Sequence, residues 1–129
     1  MFQSNVFDYV NLLDKAADAS WLRNEVIGNN ISNATTPGYK RQDVAFESLL
    51  QEALHRNRYQ SMDAKVSGLK SSRLEPRIYT DLTNYSYRLD KNNVDPDTEP
   101  VFLAENQLKY QGLITSITHE FNNLQTVMK

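Results

Sequence analysis

Asn29-Asn30-Ile31-Ser32-Asn33-Ala34-Thr35-Thr36-Pro37-Gly38-Tyr39-Lys40 is the polar stretch that decides the fold, because a long helical pattern stops there. Asparagine and threonine side chains compete for backbone hydrogen bonds and are poor in helix interiors. Pro37 disfavours the helical conformation at the residue before it and cannot donate an amide hydrogen bond. Gly38 suits the turn that follows, since glycine adopts positive φ readily. The stretch therefore predicts a helix end followed by a turn.

The residues before this stretch carry a hydrophobic pattern typical of a long helix. Alternating steps of four and three residues form one stripe along a helix with a period near 3.5. The stripe consists of Val6, Val10, Leu13, Ala17, Ser20, Asn24, Ile27, Ile31 and Ala34. A helix over this span would be about 40 Å long. A stripe of this length is too exposed for a small globule, so we expect the N-terminal helix, residues 1–35, to need partners.

The C-terminal residues repeat the same pattern. Its stripe consists of Tyr110, Ile114, Ile117, Phe121, Leu124 and Met128. We expect a second long helix, within residues 96–129, that packs against the first as a coiled coil. Asn24 and Asn106 are candidates for buried polar groups that fix the register. Asp95 or Asp97 is predicted to cap the start of this helix, with Pro96 at its first position.

These two stripes supply the candidate packing residues of the chain. We predict that the following side chains form helix packing within and between subunits: Val6, Val10, Leu13, Ile27, Ile31, Tyr110, Ile114, Ile117, Phe121 and Leu124.

The middle segment, residues 36–95, is predicted to be extended or irregular. Apolar residues at helical spacing indicate a short amphipathic helix over residues 45–58. Residues 78–80 and 85–89 favour two strands of a small β-hairpin. Residues 59–76 are basic and have no clear period. A nucleic-acid patch there is less favoured than a solvated or partner-facing loop, because no known nucleic-acid motif frames these residues. The fold class is therefore mainly α, in a single domain.

Composition excludes several classes of function. The chain has 129 residues, a net charge of −2 and no cysteine. It therefore offers no global basic field for nucleic acid and no disulfide framework. We expect no direct membrane span, because no run of about 18 apolar residues occurs. The first residues lack both a basic and an apolar signal region, so we expect no cleavable secretory signal.

No catalytic, cofactor-binding or metal site is predicted. Neither His55 nor His119 has a nucleophile or acid motif around it, and no glycine-rich phosphate loop occurs. Residues 90–100 are rich in oxygen ligands, but they lack the glycine and the spacing of a calcium loop. We expect a protein that is not an enzyme.

The opening stretch resembles the signature of bacterial flagellar axial proteins, the rod and hook family, in which it follows the N-terminal helix. The residues that carry the motif are Asn29, Asn30, Ile31, Asn33, Ala34, Thr36, Pro37, Gly38 and Tyr39. Residues 21–46, 89–95 and 104–111 are similar to the proximal rod proteins of that family. Lys91 stands where the family more often has glycine, and Pro100 replaces a usual helix former. The chain is too short for the additional β-domain of longer members.

This resemblance implies a structural subunit of the basal-body rod, which transmits motor torque from the membrane ring towards the hook. It implies residence in the periplasmic space after export through the flagellar type III apparatus. The implied partners are other rod proteins, the adaptor to the membrane ring and export gate, and copies of the chain itself. Two alternatives stay open. One is a free-standing coiled-coil adaptor or secretion chaperone, and the other is a small enzyme or nucleic-acid binder.

Overall fold

A computed structural model describes residues 5–56, 60–69, 74–82 and 88–129. After a 3-10 turn at Asn5–Phe7, the elements are α1 (Asp8–Ser32), β1 (Gln42–Ala45), α2 (Glu47–His55), α3 (Met62–Ser67), β2 (Arg77–Thr80) and α4 (Glu99–Met128). The prediction of a mainly α fold is confirmed, with two long terminal helices packed together and two short helices and two strands between them.

The two long helices pack against each other in opposite directions. The Trp21 and Tyr110 rings lie with centroids 5.9 Å apart, and the Asn106 amide donates to the Ser20 carbonyl at 2.7 Å. Further along α1, the Asn30 amide lies 3.4 Å from the Glu99 carboxylate at the start of α4. Of the two asparagines proposed to fix the register, Asn106 is buried and bonds to the backbone of α1, whereas Asn24 is only partly buried.

The middle segment covers a second face of α1. Its core is a cluster of Ala19 from α1, Phe46 before α2 and Leu74 before β2. Leu12, Ala16, Leu50, Ala53 and Leu69 pack around this cluster. The first helix is thus buried on two sides, by α4 and by the middle segment, because its apolar residues extend beyond one narrow stripe.

The two strands form an antiparallel pair in which Gln42 lies opposite Thr80 and Ala45 lies opposite Arg77. The sequence correctly predicted a strand at residues 78–80, and its partner among the described residues is β1, which comes before α2. Of the strand predicted at 85–89, residues 85–87 lie outside the described residues, and residues 88 and 89 form a bend and turn. The pairing of β2 with β1 was not predicted, because hairpin signals use only neighbouring residues, whereas the fold brings together strands separated by two helices.

The helices differ from the predicted ones in several places. Helix α1 spans Asp8–Ser32 instead of residues 1–35, of which residues 1–4 lie outside the described residues. Helix α2 is shorter than residues 45–58, of which 57 and 58 lie outside the described residues. Helix α3 was not predicted, although Ser61 marks its start by accepting from the Ala64 amide at 3.3 Å. Helix α4 begins at Glu99 instead of Pro96, because residues 96–98 form a turn. Asp95 serves that turn by accepting from the Asp97 amide at 2.9 Å. No helix among the described residues is long and apolar enough to cross a membrane.

Candidate functional site: a polar junction beside two exposed helix faces

Helix α1 ends inside the polar stretch, and amide groups of that stretch donate hydrogen bonds to the last carbonyl groups of the helix. The Asn33 backbone amide donates to the carbonyls of Asn29 and Asn30 at 3.1 and 3.2 Å, and its side-chain amide donates to Asn29 at 2.8 Å. Thr36 then donates its hydroxyl to the Asn33 side chain at 3.1 Å. Gly38 completes the reversal with a φ of +74°. The chain leaves the helix in a defined direction because the last carbonyls have partners.

A second loop closes on this turn from far along the chain. The fully buried Asn92 side chain donates to the carbonyls of Asn33, Ala34 and Thr36 at 2.8, 3.0 and 2.9 Å. The Gly38 amide donates to the Asp90 carbonyl at 2.6 Å. The interpretation of residues 90–100 as a helix start did not predict the role of Asn92. The resemblance of residues 89–95 to the rod family pointed to this run, whereas the chemistry of its side chains did not.

Asn30 joins the end of α1 to the strand that follows. Its side-chain amide donates to the Gln42 carbonyl at 2.8 Å, and its side-chain oxygen accepts from the Gln42 amide at 3.0 Å. The Tyr39 hydroxyl donates to the same oxygen at 3.2 Å. Asn30 is fully buried, whereas the side chain of its neighbour Asn29 is exposed. Within the motif, therefore, only one of the two adjacent asparagines is internal.

The end of α1, the turn and strand that follow it, residues 90–94 and Glu99 form one polar site, which we name the junction. Arg41 and Glu99 form a buried ion pair within it. Their side chains are 6% and 0% exposed, and the Arg41 Nε donates to the Glu99 carboxylate. The guanidinium also donates to Asp81 at 2.8 Å and lies 5.0 Å from the centre of the Phe102 ring. Burial opposes the charge on Arg41, but the hydrogen bond and attraction to Glu99 outweigh it and raise its pKa. The pair ties the strand region to the start of α4.

Two residues of the junction adopt positive φ, and substitutions at them are expected to change the free energy of unfolding in opposite directions. Gly38 has a φ of +74° and Lys91 has a φ of +62°. An added Cβ at Gly38 would meet nothing within 4 Å, so the cost of Gly38→Ala is one of backbone conformation. We expect Gly38→Ala to lower the free energy of unfolding by about 1–2 kcal/mol. Lys91→Gly should raise it by about 0.5–1 kcal/mol.

Urea unfolding of the purified chain, followed by circular dichroism, measures both variants. Equal shifts of the midpoint in the same direction would contradict this assignment of positive φ.

Glu47 forms a second electrostatic link, at the start of α2. Arg23 of α1 donates to both of its carboxylate oxygens, at 2.7 and 2.6 Å, and Lys109 of α4 donates to one of them. The Arg23 hydrogen bonds are the main cause that lowers the pKa of Glu47 from 4.5 to about 2. Burial acts in the opposite direction, and the Lys109 hydrogen bond adds to the lowering. One carboxylate thus joins three helices.

The lowered pKa predicts a loss of stability in acid. The pKa of Glu47 falls on folding from 4.5 to about 2, so the unfolded chain takes up the proton first as the pH decreases. The stabilisation by Glu47 is complete above about pH 5 and is lost as the pH falls towards 2. We expect Glu47→Gln to cost about 1 kcal/mol or less at pH 7, because the group is half exposed.

Urea unfolding of wild type and Glu47→Gln between pH 7 and pH 3 tests this prediction, and the difference should shrink with falling pH. Glu52→Gln is the matched control, since Glu52 pairs with Arg56 in an exposed ion pair. A difference that is constant across the pH range would contradict the lowered pKa.

The predicted packing residues fall into three groups in the single chain. Val10 and Ile27 are buried, and Leu13, Tyr110, Ile117 and Leu124 are partly buried. Val6, Ile31, Ile114 and Phe121 are 45%, 37%, 41% and 49% exposed. The two long helices and the 3-10 turn before α1 therefore carry large apolar side chains that the described part of the chain leaves exposed. In the described parts of the chain, no group of three or more potential ligands is placed to hold a metal ion.

Comparison with known proteins connects this geometry with a family. A family model described as "Flagella basal body rod protein" matches residues 16–40, which include the polar stretch. The "Flagellar basal body rod protein FlgB" of Bacillus subtilis (strain 168) is 34% identical over 124 residues, covering 90% of this chain and 89% of that protein. The protein of the same name from Borreliella burgdorferi is 33% identical, covering 93% and 95%. That of Escherichia coli (strain K12) is 30% identical, covering 83% of both.

Proposed function

Because this chain belongs to the FlgB family of flagellar basal body rod proteins, we propose that it is a non-enzymatic structural subunit of the rod. In this role it transmits motor torque from the membrane ring towards the hook. It resides in the periplasmic space and reaches it through the flagellar type III apparatus. Its partners are copies of itself, other rod proteins, and the adaptor to the membrane ring and export gate, with no nucleic acid and no direct membrane span.

The observation that carries this proposal is the combination of exposed apolar helix faces with a rigid junction. Large apolar side chains on α1 and α4 are exposed, and Ile114 and Phe121 lie seven residues apart on one face of α4. Exposed apolar side chains that share a face are typical of interaction sites. The ten packing residues therefore serve both the contact between α1 and α4 and the contacts between subunits.

The junction suits a subunit that carries load. Asn30, Asn92 and the Arg41–Glu99 pair hold the middle segment against both long helices through buried polar contacts. Buried polar networks whose members are satisfied are rigid. A force applied to the middle segment is thereby passed to the helices instead of being lost in a hinge. The motif residues Asn30, Asn33, Pro37, Gly38 and Tyr39 fix the direction in which the chain leaves α1.

Phe121→Asp tests the proposed contacts between subunits. Phe121 is 49% exposed in the single chain, so a charge there is tolerated by the isolated subunit but not at a desolvated interface. In a flagellated bacterium that lacks its own copy, we expect Phe121→Asp to abolish motility and rod assembly while helix content is retained. Asn122→Asp is the matched control, since Asn122 is the exposed neighbour of Phe121, and it should support motility.

Two outcomes would overturn the proposed function. One is normal motility with Phe121→Asp. The other is that the unmodified chain forms a stable, closed small oligomer when purified and does not restore motility in the bacterium that lacks its own copy. That result would favour the coiled-coil adaptor or secretion chaperone, which needs no growing assembly.

A further inference from the structure

A pocket on the seam between the two long helices contains buried acceptors that have no donor. We name this pocket, of about 200 Å³, the seam pocket. Asn24 and Asn106 line it, and their side-chain oxygens are buried and accept from no group among the described residues. Asn106 is 5% exposed, and its side-chain nitrogen is fixed because it donates to the Ser20 carbonyl at 2.7 Å. A buried acceptor without a donor is destabilising. The seam pocket therefore calls for an occupant that donates hydrogen bonds.

The lining of the seam pocket favours a neutral carboxamide as that occupant. No charged side chain is among the described residues that line it, so an ammonium or guanidinium would lose its water without gaining a counter-ion. One carboxamide nitrogen carries two N–H donors, which is the number that the oxygens of Asn24 and Asn106 need. Its carbonyl can accept from the amides of Gln107 or Gln111, which line the same pocket and are exposed. The pocket is smaller than the ~300 Å³ of typical small-molecule sites, which suits a side chain better than a free ligand.

The C-terminal end of α4 carries an exposed carboxamide and runs past the start of α1. From the bond between Asn106 and Ser20, α1 continues for 12 residues to Asp8, whereas α4 continues for 22 residues to Met128. Because the two helices are antiparallel, α4 passes the start of α1 by about 10 residues, or about 15 Å. On this end Gln125 is exposed, and Met128 is 79% exposed. A projecting helix end with exposed apolar side chains is suited to contact another chain.

We propose that the Gln125 carboxamide of one copy occupies the seam pocket of the next copy, a contact that deepens the proposed function and rests on it. The two surfaces differ, so the contact is heterologous and generates an open, repeating assembly unless its rotation closes a ring. With the α4 helices of successive copies parallel, Gln125 lies level with Tyr110 of the next copy. Met128 then lies beside Ile114, which is 41% exposed one turn beyond the pocket. The polar and the apolar contact thus agree in one register, with a shift between copies of about 15 residues, or about 22 Å.

The single tryptophan of the chain, Trp21, reports whether the seam pocket is occupied. It lines the pocket and is 57% exposed. As the concentration of the purified wild-type chain rises, we expect Trp21 emission to shift to shorter wavelength and its quenching by acrylamide to fall, because the occupant excludes water from the ring. Unchanged emission while sedimentation shows self-association would overturn the contact. A wild-type chain that stays monomeric at its highest soluble concentration would overturn it as well.

Gln125→Met tests the donor, since methionine keeps the length of the side chain but has no N–H group. By sedimentation over a concentration series, we expect this variant to weaken self-association by about tenfold or more, because two buried acceptors stay unpaired. Asn123→Met is the matched control. Asn123 is an exposed carboxamide on the same helix, about 200° around it from Gln125, and its substitution should leave self-association unchanged. Equal effects of the two variants would contradict the contact.

A double-mutant cycle with Asn24→Leu tests whether Gln125 meets the pocket itself. Removing one partner of a buried hydrogen bond leaves the other unpaired, whereas replacing both by apolar groups is nearly neutral. We therefore expect Asn24→Leu/Gln125→Met to self-associate more tightly than Gln125→Met alone. Circular dichroism of Asn24→Leu checks that its helix content is retained. Effects of the two substitutions that simply add would show that Gln125 does not meet Asn24.

Cross-linking in motile cells separates this inference from the proposed function. The chain contains no cysteine, so a chain with Gln125→Cys and Gln107→Cys should form a ladder of oligomers on oxidation through this contact. If the wild-type chain restores motility but the double-cysteine chain forms no cross-link between copies, the inference fails and the proposed function stands. If the wild-type chain restores no motility, the proposed function fails, and the measurements on the purified chain decide the inference.

Discussion

Arg41→Ala is expected to lower the free energy of unfolding by about 3–5 kcal/mol, the largest effect of any single substitution considered for this chain. The substitution leaves the Glu99 carboxylate, which is 0% exposed, without its cationic partner. A buried charge that loses its partner must be desolvated without compensation. Arg41 also holds Asp81 at 2.8 Å, so the variant weakens a second contact of the junction.

Urea unfolding at pH 7, followed by circular dichroism, measures this loss, and Arg56→Ala is its matched control. Arg56 pairs with Glu52 in an ion pair whose partners are 58% and 67% exposed, so its removal should cost about 0.5 kcal/mol or less. The double variant Arg41→Ala/Glu99→Ala should cost less than the sum of the single variants, because each single variant leaves one charge unpaired. Equal losses for Arg41→Ala and Arg56→Ala would show that Arg41 is not buried with Glu99.

Asn30→Ala is expected to lower the free energy of unfolding by about 2–3 kcal/mol, because it leaves partly buried backbone groups of Gln42 without partners. The side chain serves both the amide and the carbonyl of Gln42, at 3.0 and 2.8 Å, and accepts from the Tyr39 hydroxyl. Alanine supplies neither a donor nor an acceptor. The loss should appear as earlier unfolding in urea and as faster proteolysis between α1 and β1.

Asn29→Ala is the matched control for Asn30→Ala, since both residues are adjacent asparagines of the same motif and only the second is buried. We expect a change of about 0.5 kcal/mol or less for Asn29→Ala. If both substitutions lowered the free energy of unfolding equally, the burial of Asn30 and its hydrogen bonds to Gln42 would not be the cause of the loss. In the proposed role, Asn30→Ala should also impair motility, because it loosens the exit from α1.

The junction was predictable only in part. Asn30, Asn33 and Gly38 belong to the stretch from which the helix end was predicted, and their local roles follow from the preferences of asparagine and glycine at such ends. Asn92 and Glu99 were not predicted to belong to this site. Asn92 donates to a carbonyl 59 residues away, and Glu99 accepts from a side chain 58 residues away. No local pattern distinguishes these two from exposed polar residues.

The sequence alone determined the secondary-structure elements that depend on residues close together in the chain. Hydrophobic periodicity predicted the two long helices, and the polar stretch that begins at Asn29 predicted the end of the first, since these preferences act over a few residues. Only the tertiary structure decided that β2 pairs with β1 and that Arg41 meets Glu99. Those choices depend on which polar groups are buried together. A buried polar group is costly unless it finds a partner, and which partner it finds is settled by the packing of the whole chain.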